Sequence, residues 1–87
     1  MADEEQVVAA QTVSLRENQE MHVTISQHEA ERFWRVEVVN PRTARAHMTT
    51  TLSDDDSFMT NLVRDAVNGE QLAWRHLAKW GMGSRRP

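Results

Sequence analysis

The stretch SDDDSFMTNLVRDAVNGEQLAWRHLAKW, Ser53 to Trp80, decides how this chain is built. Ser53 offers a hydroxyl to the first unpaired backbone N–H groups of a helix, and Asp54, Asp55 and Asp56 bring carboxylates to its positive end, with Asp56 placed as a capping-box partner. Behind them Phe58, Met59, Leu62, Val63, Ala66 and Val67 share one side of a helical wheel, while Ser57, Asn61 and Arg64 take the other. The spacing predicts an amphipathic helix capped at Ser53, running to Val67, with Phe58 in the core.

Asn68-Gly69 reads as a stop, because either residue can adopt the left-handed conformation that closes a helix. The wheel phase nevertheless survives the break through Ala73, Trp74, Leu77 and Trp80. An unbroken helix from Asp54 to Trp80 would be roughly 40 Å long, too long for a domain whose radius of gyration should be about 12 Å. A break or kink at Asn68-Gly69 is expected.

Upstream the period changes to two. Met21, Val23 and Ile25 alternate with His22, Thr24 and Ser26, and Trp34, Val36 and Val38 alternate with Arg35 and Glu37. Asn40-Pro41-Arg42-Thr43 is a turn, since proline presets its φ and cannot donate to a ladder. A third strand follows, with Ala44, Ala46, Met48, Thr50 and Leu52 on the face expected to be covered, and Arg45, His47, Thr49 and Thr51 on the other. Val7 to Leu15 offers a fourth strand near Thr12 to Leu15. The fold expected is α+β: a three- or four-stranded antiparallel meander covered on one face by a C-terminal helix, broken or kinked near Asn68-Gly69.

Eighty-seven residues make one small domain, expected to have flexible ends at 1–6 and 82–87. There is no cysteine, so disulfide stapling, thiol chemistry and cysteine-ligated zinc drop out, and a reducing cytoplasm suits the chain. No apolar run reaches the length of a membrane span. The net charge of -3 is mild, but residues 1–32 are acidic and residues 33–87 slightly basic. Arg42, Arg45, Arg64, Arg75, Lys79, Arg85 and Arg86 could form a basic patch, the alternative to an ordinary solvated surface.

Chemistry-bearing motifs are missing. His22, His28, His47 and His76 make no ligand pair at helical spacing, and His22 and His47 are expected on the outer polar face of the sheet. Asp54 to Asp56 are explained by capping. Gly69, Gly81 and Gly83 form no phosphate-binding loop. The expectation is therefore a protein that is not an enzyme and needs no metal or cofactor.

Binding is the better reading. A DNA-reading helix-turn-helix with its glycine at Gly69 would put Arg64, Asn68 and Arg75 at apolar positions, and an RNA-binding sheet would find only Phe33 on the open face. Trp74 and Trp80 either close the core or mark a contact surface with Arg75 and Lys79, tryptophan being enriched in interface hot spots. A protein partner is expected. The alternatives are a nucleic-acid accessory protein working through the arginine patch, and an assembly subunit that homo-oligomerises. In size and architecture alone the chain resembles small phage or mobile-element proteins that inhibit a host machine, such as polymerase inhibitors and anti-CRISPR proteins; that resemblance implies steric occlusion of a target.

Overall fold

A computed structural model of the protein describes residues 5–16 and 19–83. Four strands, β1 (Gln6–Arg16), β2 (Gln19–His28), β3 (Phe33–Asn40) and β4 (Arg45–Leu52), form one antiparallel sheet in the order β1-β2-β3-β4. Two helices follow, α1 (Phe58–Val67) and α2 (Gln71–Gly83), and pack on one face. This is the expected α+β meander with four strands. The first strand begins well before Thr12, and β1 and α2 reach into the ranges expected to be flexible, through Gln6 and Met82. Residues 1–4 and 84–87 lie outside the described residues.

The core lies between sheet and helices. Val13, Met21, Val23, Ile25, Val36 and Val38 meet Leu62, Val63, Ala66, Ala73, Trp74, Leu77 and Ala78, and Trp34 packs against this cluster. The two-residue period of the strands and the roughly 3.6-residue period of the helices supply these positions. The other sheet face is open.

The helix starts one turn later than expected. Ser57, not Ser53, is the cap: its Oγ accepts the Thr60 N–H at 3.2 Å. The reason is Thr60, fully buried, whose hydroxyl donates to the Leu52 carbonyl at 3.0 Å and also bonds the Thr51 hydroxyl. Starting at Ser57 sets Thr60 beneath the end of β4, where its buried hydroxyl is satisfied by the half-buried hydroxyls of Thr51 and Ser57 and by the Leu52 carbonyl. The aspartates then serve elsewhere. Asp54 pairs with Arg32 at 3.0 Å, and Asp56 accepts from the Asn61 side chain. Phe58, placed at the first helical position, is 77% exposed and outside the core, because the late start turns its side chain away from Thr60.

The break is real. Gly69 has φ +100°, its N–H bonds the Ala66 carbonyl, and the Glu70 N–H reaches the Asp65 carbonyl, which together make a Schellman cap.

The faces of β4 are the reverse of those expected. Trp34 pairs with Thr51, Val36 with Thr49 and Val38 with His47, so the core-facing residues of β3 carry Thr51, Thr49 and His47 onto the helix side. Met48 and Leu52 are left on the open face, 55% and 54% exposed. The turn sets this phase, with Ala44 in the left-handed region at φ +62° and Arg45 opposite Asn40. His47 accordingly lies on the helix side, not on the outer face, and its ring meets the edge of Trp80 at 6.0 Å between centroids.

Candidate interaction surface

The residues singled out on α2 are distributed around the helix. Trp74 is 3% exposed and belongs to the core, so its ring offers no surface to a partner. Arg75 turns towards β1, where its guanidinium donates to the Ser14 carbonyl at 3.4 Å. Lys79 is exposed. Trp80 is half-buried on the opposite side, against the core and His47 of β4. With strands spaced by about 4.8 Å, the contacts of Arg75 on β1 and of Trp80 on β4 are roughly 14 Å apart across the sheet.

The arginines are divided in the same way. Arg42 and Arg45 lie at the β3–β4 turn, where their backbone N–H groups bond the Asn40 and Thr43 side chains. Arg64 sits at the far end of that strand pair. It donates to Asn61 at 2.7 Å and to the Ser53 carbonyl at 3.2 Å, and lies over the Trp34 ring at 6.0 Å. Seven residue steps along β4 at about 3.3 Å separate the two ends by roughly 23 Å. Arg85 and Arg86 lie outside the described residues.

What the structure does gather is a strip along β4. Met48 and Leu52 stand on its open face, Trp80 and His47 on its helix face, and Phe58 opens α1 two residues before Thr60, whose hydroxyl bonds the Leu52 carbonyl at the end of β4. The signal for this strip in the sequence is faint: an uncharged run, Met48-Thr49-Thr50-Thr51-Leu52, followed by an aromatic residue directly behind the capping Ser57.

The two sheet edges differ. β1 shifts register at Val7/Ala9 and Ser14/Arg16, and Arg75 occupies its Ser14 carbonyl. Such bulges and capping charges protect an edge from strand addition. β4 pairs with β3 without a shift from Arg45 to Leu52 and has neither proline nor lysine.

Two further features complete the surface. On the open face His28 stacks on Phe33 at 4.9 Å, and Arg35 lies over the same ring while pairing with Glu5 at 2.7 Å. At the hairpin end an open cleft of about 480 Å³ lies between Gln19, Arg45, His47 and Gly81, and its described lining contains no carboxylate. Among the described residues no three His, Asp or Glu side chains gather to hold a metal ion, and no helix is long and apolar enough to cross a membrane.

Fold and surface together define a small α+β domain of one open antiparallel sheet and two C-terminal helices. Compared with known proteins, the chain matches no family model, no curated protein and no solved structure.

Proposed function

We propose that the chain is a non-catalytic protein-interaction module that binds a protein partner stoichiometrically and acts by occluding it. The observation that carries this reading is the β4 strip, where Met48, Leu52 and Phe58 are each more than half exposed. Fully burying side chains of this kind is worth about 1.5–3 kcal/mol each, so covering what remains exposed on the three offers on the order of 3–5 kcal/mol before the cost of association. Trp80, on the helix side of the same strand, extends the contact around the edge. The contact set thus moves from α2 alone to the β4 edge with Trp80.

The outline of the chain supports one form of this activity, a small phage-like inhibitor of a host machine, and the lack of cysteine suits work in a reducing cytoplasm. The test compares wild type with a Met48→Ser/Leu52→Ser variant, both checked for native circular dichroism, in capture from a host lysate. Proteins retained in stoichiometric amount by wild type and lost by the variant support the reading. Identical retention by both contradicts it.

A further inference from the structure

The backbone of β4 identifies what the strip fits. The Leu52 carbonyl accepts from the Asp55 N–H at 3.3 Å and from the Thr60 hydroxyl, so it turns away from β3. In an antiparallel ladder successive residues alternate between turning both backbone groups towards the neighbouring strand and turning both away. Ala46, Met48 and Thr50 therefore point their N–H and C=O groups outward, while His47, Thr49 and Thr51 point theirs at β3. None of the bonds made among the described residues outside the ladder involves the outward groups of Ala46, Met48 or Thr50.

We infer that a second copy of this chain adds to this edge, β4 against β4, with the twofold axis through Met48. The inference rests on the reading of the β4 strip as a contact surface and assigns its backbone edge to a second copy of the chain, in place of the foreign protein. In this register Met48 faces Met48 of the second copy, and Ala46 faces Thr50 of the second copy in both directions. All three outward residues of each edge are used. Moving the axis to His47 pushes Thr50 against Ala44 in the turn and sets two imidazoles face to face. Moving it to Thr49 sets Ala46 against Leu52, whose carbonyl is already occupied. The Met48 register also places Arg45 opposite Thr51 and His47 opposite Thr49, so no like charges meet. On the open face Met48 packs on its symmetry mate, and Leu52 falls opposite Ala44. The joined edges turn two four-stranded sheets into one of eight strands, and a chain whose size lets it bury only about 60–65% of its unfolded surface gains burial by pairing.

Light scattering from low micromolar to near-millimolar concentration tests this. Wild type should approach twice the 10.0 kDa chain mass. Met48→Pro removes only an outward N–H and should fall to the single-chain mass with an unchanged spectrum. Met48→Lys, which sits opposite Glu37 in its own sheet, should fold and weaken association at least tenfold, because two lysines meet at the axis; it carries the test if the proline variant fails to fold. Mixing Met48→Lys with Met48→Glu/Glu37→Gln, the second change removing the like charge that the new carboxylate would meet in its own sheet, should restore the doubled mass, as a register with residue 48 facing itself predicts. A wild type that stays at single-chain mass overturns the inference, as do a Met48→Lys variant that still pairs and a mixture that does not recover. A single-chain wild type that still captures a foreign protein through Met48 and Leu52 sinks the dimer and leaves the interaction reading standing.

Discussion

Gly81→Ala tests how α2 is seated on the sheet. Gly81 is buried where the helix crosses β3, and a Cβ built on it would stand 2.5 Å from Val38 Cγ1, 2.6 Å from Val38 Cβ and 3.2 Å from Val38 Cγ2. Carbon atoms pack best at about 3.5–4.0 Å, so helix and strand must separate by roughly 1 Å. Val38 cannot retreat, since it is paired with Val23 on one side and His47 on the other. Overpacking of this kind costs about 1–3 kcal/mol. Alanine in place of glycine returns about 0.8–1.0 kcal/mol of helix propensity. With two contacts well under 3.0 Å, one of them to Val38 Cβ, the overpacking cost belongs in the upper part of its range, about 2–3 kcal/mol. The net expectation is therefore a loss of about 1–2 kcal/mol, or a fall in Tm of roughly 4–16 °C at the usual 4–8 °C per kcal/mol for a domain of this size. Urea unfolding followed by tryptophan fluorescence measures it. A variant as stable as wild type, or more stable, would show that α2 does not rest on Val38 and that propensity alone governs the site.

Three further substitutions separate the observed contacts from the expected ones. Ser57→Ala should cost about 1 kcal/mol in urea unfolding, the usual loss for a helix cap, whereas Ser53→Ala should stay within about 0.5 kcal/mol; the reverse order would return the cap to Ser53. Thr60→Val keeps the shape but leaves the Thr51 and Ser57 hydroxyls without their shared partner, so it should cost about 1–3 kcal/mol, and Thr60→Ser should cost less by the same assay. Trp74→Ala should lose about 3–5 kcal/mol or fail to fold, while Phe58→Ser changes thermal stability little; equal effects would contradict their opposite burial.

The fold was readable where one physical rule acted alone. Strand alternation through Met21 to Val38 and the Asn68-Gly69 stop follow from backbone geometry and burial, and the structure agrees with both. The start of α1 was not readable in the same way. Two serines compete for the cap, and the choice is made by Thr60, whose bonds to Leu52 and Thr51 join residues eight and nine positions away. β4 misled for a related reason. Its alternating residues differ little in apolar character, so register with β3, and not its own pattern, assigns the faces. Because the strip of Met48 and Leu52 depends on that register, it was hidden from a reading of the strand by itself. Trp74 and Trp80 could be placed on α2 from the helical period, but only the contacts of the finished sheet show which one is spent in the core.

Amide hydrogen exchange along β4, followed by NMR over a range of protein concentration, tests the role of this edge most directly. The His47, Thr49 and Thr51 amides, bonded to β3, should exchange slowly at every concentration. The Ala46, Met48 and Thr50 amides should exchange quickly in dilute solution and slow together as concentration rises, because a second strand then covers them. If those three amides stay fast at every concentration, the β4 edge does not pair with a second copy. If they are slow at dilutions where light scattering gives the single-chain mass, the edge is covered within the single chain and is not a binding surface at all.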